Sequence, residues 1–136
     1  TVSKATLNFE IDHPLDPGRK TLRHAALESP ERKTMYHGIV TLGPSGDANV
    51  ELPSYFEALN RDYRYQLMPI GTSAPGLYVK EKIRQNRFAI AGGAPHGKVS
   101  WQVTGVRKDA WALAHPLIVE EKKTSPGYLH PELYGK

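Results

Sequence analysis

Lys98-Val99-Ser100-Trp101-Gln102-Val103-Thr104-Gly105-Val106 alternates apolar and polar side chains as far as Thr104. Successive side chains of an extended strand point to opposite faces. Val99, Trp101 and Val103 therefore share one face, and Ser100, Gln102 and Thr104 the other. The stretch reads as a half-buried strand. That reading also decides what precedes it. Gly92-Gly93-Ala94-Pro95-His96-Gly97-Lys98 has the spacing of a phosphate-binding P-loop up to its lysine. Such a loop needs a Ser or Thr hydroxyl next, for the magnesium ion, and must open a helix whose amides face the phosphate. Here Val99 follows and a strand begins, so the segment is a Gly/Pro turn between strands.

The same alternation recurs outward from this strand. Ala5, Leu7, Phe9 and Ile11 point one way and Thr6, Asn8, Glu10 and Asp12 the other, until His13-Pro14-Leu15-Asp16-Pro17-Gly18 ends the run. Residues 35–42 and 48–52 flank Gly43-Pro44-Ser45-Gly46-Asp47, which predicts a hairpin with a five-residue turn. Tyr63, Tyr65 and Leu67 alternate with Arg64, Gln66 and Met68, and residues 77–80 and 88–91 complete the set. Two short helices are expected. Ser54-Tyr55-Phe56-Glu57 fits a capping box, with the helix ending near Asn60. Asp109 is placed to cap residues 110–114, and Pro116 closes that turn. About seven or eight short strands with turns between them predict a mainly β fold, an antiparallel sandwich or barrel-like domain.

The 136 residues suit one domain, and 39 % hydrophobic residues with a mean hydropathy of −0.50 describe a folded chain with a modest core. The division expected is a β-rich domain over 1–121 and an extended arm over 122–136. The arm holds Tyr128, Leu129, Leu133 and Tyr134, more large apolar groups than a solvated tail carries, so it should dock on the domain or on a neighbouring subunit. Eighteen basic and fourteen acidic residues leave a net charge of +4. The basic residues are scattered among acidic ones, which argues against nucleic-acid binding. There is no cysteine, hence no disulfide or thiolate metal site, and no apolar run long enough for a membrane helix. With Thr1 first and no initiator methionine, the sequence is expected to be a fragment, with any targeting signal upstream.

Chemistry is hard to find. No two of His13, His24, His37, His96, His115 and His130 have the spacing that brings two imidazoles to one metal. Asp12 and His13 are adjacent on a strand and point apart. Glu51, Glu57, Asp62 and Glu81 are the central carboxylates from which a glycosidase pair, about 5–9 Å apart, would have to come. No motif for a cofactor is legible. The aromatic side chains are better candidates for contact, because flat rings bind sugars and partner chains by stacking. Trp101, Phe9 and Phe56 are expected in the core. Tyr36, Tyr63, Tyr65, Tyr78, Trp111, Tyr128 and Tyr134 are the candidate ligand or subunit contacts.

Several blocks resemble a family. They are Ser3-Lys4 with Phe9-Glu10-Ile11-Asp12-His13-Pro14-Leu15-Asp16-Pro17, Tyr36-His37-Gly38, Val50-Glu51-Leu52-Pro53, the run from Tyr55 to Leu67, Asn86-Arg87-Phe88, the run from Lys98 to Arg107, and Tyr128-Leu129-His130-Pro131-Glu132-Leu133-Tyr134-Gly135. Together they are similar to C-terminal modules of long, repeat-built bacterial fibre-like surface proteins and of phage-tail-fibre-like proteins. The resemblance implies a non-catalytic, homotrimeric fibre tip, outside the cell or on its surface, that adheres to a cell-surface glycan or envelope component without inserting into a membrane. The alternatives are a trimerisation cap for the fibre shaft with no ligand of its own, and a polysaccharide-cleaving or self-cleaving fibre end. The Ser-Asp-x-Arg-Leu-Lys-like motif of self-cleaving chaperones is missing from the sequence, and Ser3-Lys4 alone does not stand in for it.

Overall fold

The alternating strand that starts at Lys98 lies at the centre of a sheet. In the computed structural model, which describes residues 8–136, the chain forms eight strands. They are β1 (Asn8–Asp12), β2 (Thr21–Ala25), β3 (Lys33–Thr41), β4 (Ala48–Glu51), β5 (Asn60–Ile70), β6 (Tyr78–Arg84), β7 (Arg87–Ala91) and β8 (Lys98–Arg107). Helix α1 (Phe56–Leu59) precedes β5, and α2 (Ala110–Ala114) follows β8. Strand accounts for 43 % and helix for 10 %, and the expected mainly β, sandwich-like fold is what forms; it is not a closed barrel.

β8 pairs on both sides, in the antiparallel order β3-β8-β5. A second antiparallel sheet has the order β4-β7-β6, and β1 and β2 form a separate hairpin. The inner faces of the two larger sheets meet in one core, built from Leu42, Val50, Phe56, Phe88, Ile90, Val99, Trp101 and Val103 among others. Trp101 stands opposite Gly38 in the β3–β8 register. The indole lies flat over that glycine, so a Cβ there would sit 3.0 Å from the ring. Asn60 is fully buried, and its amide is satisfied by the Thr34 hydroxyl (2.7 Å) and the Phe56 carbonyl (3.1 Å).

Three expectations change. The predicted hairpin over 35–52 does not form, because β3 pairs with β8 while β4 pairs with β7. The turn between them is real: the Gly43 amide donates to the Asp47 carbonyl and the Gly46 amide to the Gly43 carbonyl. It turns the chain from one sheet into the other instead of folding it back. Residues 92–97 do the same between β7 and β8, and the two corner loops bond each other through Gly93 to Gly46 and His96 to Gly43. The P-loop look-alike is one of these corners, a turn between strands as expected.

The capping box is the second change. Ser54 makes no cap hydrogen bond, and Tyr55 is the residue that precedes α1. The reason is Asn86, which sits in the turn between β6 and β7. Its side-chain oxygen accepts from the Glu57 amide (2.8 Å), its backbone amide donates to the Glu57 carboxylate (2.6 Å), and its side-chain nitrogen donates to the Ser54 carbonyl (3.0 Å). A residue distant in sequence therefore supplies the partners that Ser54 and Glu57 would have given each other. At α2 the local reading holds: the Asp109 carboxylate accepts from the Ala112 amide.

The third change is β2, which lacks a strong alternation and pairs with β1 across the Pro-rich loop. Ala5 and Leu7, in the predicted first strand, and Ser3-Lys4 lie outside the described residues.

At the seam between the sheets, β6 bulges between Glu81 and Arg84. The Ile83 amide then donates to the Tyr65 hydroxyl at 3.0 Å. Tyr65→Phe removes that acceptor and leaves a part-buried amide unpaired. It is expected to lower stability by about 1–2 kcal/mol, read as a fall in the urea midpoint with an unchanged slope.

Candidate functional site

The seven aromatic residues singled out for contact divide into two groups. Tyr36, Tyr63 and Tyr65 are partly buried and packed against the core. Phe56 lies between Tyr36 (ring centroids 5.3 Å) and Tyr63 (5.0 Å), and Tyr65 meets Phe88 edge-on at 5.5 Å. Burial pushes the Tyr36 hydroxyl far above the usual phenol range, with Tyr55 adding to the rise. Tyr63 is raised too, by burial and then by Glu57. Tyr78, Trp111, Tyr128 and Tyr134 are exposed.

Trp111 and the residues after it form a continuous apolar segment. The Trp111 ring stacks on His115 at 4.2 Å, and the Arg32 guanidinium lies 4.9 Å from its centroid. Leu113, Leu117, Ile118 and Val119 follow, each exposed. In the arm, Leu129 is 85 % and Leu133 74 % exposed, and Tyr128 leans on Tyr134 at 4.9 Å. The only regular element after α2 is a 3-10 turn over Pro131–Tyr134. Within the single chain this apolar surface faces water.

A histidine cluster joins the β1–β2 hairpin to the body. His24 stacks on Phe9 at 5.1 Å, and its Nδ1 lies 2.7 Å from the Arg23 carbonyl. A carbonyl only accepts, so in the neutral ring Nδ1 carries the proton and Nε2 accepts from the Tyr36 hydroxyl at 2.7 Å. Arg107 lies over the other part of this hairpin, 3.9 Å from the Phe9 centroid, and bonds Asp109 through two nitrogens at 2.8 and 3.0 Å.

The central carboxylates are dispersed. Glu51 on β4 approaches Arg87 at 3.9 Å, Glu57 is engaged by Asn86, and Asp62 pairs with Arg61 at 2.7 Å. Glu81 lies on β6, with β7 between it and β4. Among the described residues no three His, Asp or Glu side chains group in a way that could hold a metal ion, and no helix is long and apolar enough to cross a membrane.

The surface of the described residues includes two open cavities. One, of about 280 Å³, is bounded by Glu10, Asp12, Thr21, Asp109 and Trp111. The larger, of about 490 Å³, lies on the β4-β7-β6 sheet, lined by Asn49, Glu81, Lys82, Arg84, Gln85, Arg87 and Phe88. In the sequence Lys80, Lys82 and Arg84 belong to the scattered positive charge. The missing signal is Arg87, which a two-residue turn brings opposite Arg84. Gln85 and Asn86 both have positive φ (53° and 59°), as a type I′ turn requires, but Gln-Asn is not the usual sequence for one. No protein-family model, curated protein or solved structure matches this chain.

Proposed function

We propose that this domain is a non-catalytic, homotrimeric tip of an extracellular fibre that recognises a target on a cell surface. The observation that carries the reading is a pair of uncovered apolar stretches, one from Trp111 to Val119 and one holding Tyr128, Leu129, Leu133 and Tyr134, separated by the polar run at 120–127. A monomeric soluble domain rarely leaves this many large apolar side chains in water within its last 26 residues, and exposed apolar surface of this kind marks a site of association. Neighbouring copies are the natural cover, since each supplies an arm and a β body to receive it. Three copies on one axis would also present three equal recognition sites, so weak individual contacts add by avidity. The sequence blocks that resemble fibre-end modules point the same way.

The test is mass in solution. Light scattering at micromolar concentration is expected to give three times the chain mass, and deletion of residues 117–136 is expected to reduce it to one. A wild-type monomer would overturn the trimer. The same apolar segment favours a second reading, a trimerisation cap with no ligand. It is separated by an array of envelope glycans: binding supports recognition, whereas a trimer that binds nothing, and whose removal prevents assembly of the shaft, supports the cap.

A further inference from the structure

The larger cavity carries a more specific inference. Three of its lining side chains are cationic, Lys82, Arg84 and Arg87, and one, Glu81, is anionic. Lys82 and Arg84 have no carboxylate partner among the described residues; Arg87 has only Glu51, at 3.9 Å and with both side chains more than half exposed. Most of the five N–H donors on each guanidinium thus remain available.

The register adds an independent point. Arg84 and Arg87 stand directly opposite each other on β6 and β7. Like charges in that position destabilise a strand pair. Here they are held there by a turn that Asn86 ties to α1 through Glu57 and Ser54. Two arginines set opposite each other in the strand register, both lining one cavity, favour an anion between them. Apart from the apolar Phe88, the rest of the lining is of another kind: the Asn49 and Gln85 amides both donate and accept, and Glu81 accepts. That mixture matches hydroxyl groups, and about 490 Å³ is within the usual size of a small-ligand site.

We infer that this cavity binds an acidic sugar residue of a surface polysaccharide, its anionic group between Arg84 and Arg87 and its hydroxyls on Asn49, Gln85 and Glu81. The inference rests on the recognition reading above and names the ligand class. The anionic group is a carboxylate, sulfate or phosphate, since all three present the oxygens that paired guanidiniums grip.

The test is titration of the full chain with an oligogalacturonate, a sulfated oligosaccharide, a neutral oligogalactose and inorganic phosphate, by calorimetry and by amide chemical shifts. At least one acidic oligosaccharide is expected to bind, shifting the amides of residues 81–87 and Asn49, and the neutral one is not. Arg84→Ala and Arg87→Ala are each expected to weaken binding on the order of tenfold or more. Without ligand each variant should melt no lower than wild type, because the opposed charges are relieved. Equal binding of the neutral sugar, no loss in either variant, or no binding of either acidic oligosaccharide would overturn the inference. Phosphate alone binding as tightly as the oligosaccharides would overturn the sugar and leave a simple anion site. Mass measured on the same samples separates the two proposals. A trimer without a sugar site leaves the fibre tip standing, and a monomer with one leaves the cavity standing.

Discussion

Replacing Asp109 with alanine is expected to destabilise the domain by about 3–5 kcal/mol. The Arg107 side chain is only 4 % exposed, and Asp109 is the carboxylate that holds it, through bonds at 2.8 and 3.0 Å. Alanine would leave a guanidinium buried without its Asp109 counter-charge, over the faces of Phe9 and Trp111. The same change removes the cap of α2, where the carboxylate accepts from Ala112 at 3.1 Å, a further loss of about 1 kcal/mol. Urea denaturation reads the total. Asp109→Asn, which keeps a cap acceptor but loses the charge, should fall between alanine and wild type.

The pair also sets a pH dependence. Burial pushes the Asp109 carboxyl upward, but the Arg107 hydrogen bonds, the Ala112 amide and the Arg107 charge together outweigh it, so it lies below the usual carboxylate range. A carboxylate depressed by folding adds stability that is fully present above its unfolded pKa, about 3.9, and is lost as pH falls through the folded value. Wild type should therefore lose this contribution below about pH 4, and Asp109→Asn should show no such component. Identical acid profiles for the two would mean that the pair does not contribute to acid stability.

Phe88→Ala is expected to cost about 3–5 kcal/mol as well, for an apolar reason. Phe88 is 2 % exposed on β7, and its ring meets Tyr65 at 5.5 Å and Trp101 at 5.8 Å, both from the opposing sheet. It is thus one of the side chains that join the two layers. Removing it opens a cavity at their interface that neither sheet can close without breaking its own ladder. Set against a typical total of about 5–15 kcal/mol, either substitution takes a large part of the stability. Phe88→Leu should cost less because it fills part of the volume. Calorimetric melting of the two variants provides the comparison, and equal losses would mean that ring contacts, not cavity volume, hold the layers together.

The parts of this fold that were legible in the sequence are those governed by neighbours in the chain. Alternation in β5 and β8 sorts Val99, Trp101 and Val103 inward and Gln66, Met68, Gln102 and Thr104 outward, because the pleat has a period of two whatever the strand pairs with. Asp109 caps α2 because the donor it needs is three residues away. The glycine-rich segment ahead of β8 is a turn because a strand, not a helix, follows it. Composition and alternation together were enough for a mainly β sandwich-like class.

What the sequence left open depends on which strands become neighbours, and that is a property of the whole core. The segment at 35–52 has the local form of a hairpin, yet β3 and β4 gain more by pairing with β8 and β7 and burying Val50 against Phe88 and Ile90. Glu57 has a capping partner three residues back, yet Asn86 reaches it from another sheet. Tyr36, Tyr63 and Tyr65 look like surplus surface rings, and only the closing of two sheets puts them against Phe56 and Phe88. The cationic cavity depends on the same step, since the turn over Gln85 and Asn86 sets Arg87 opposite Arg84, and the β4–β7 pairing brings Asn49 to them. Residue order along a strand decides which way a side chain points; only the packed sheets decide what it meets there, because pairing is chosen by burial summed over the whole domain.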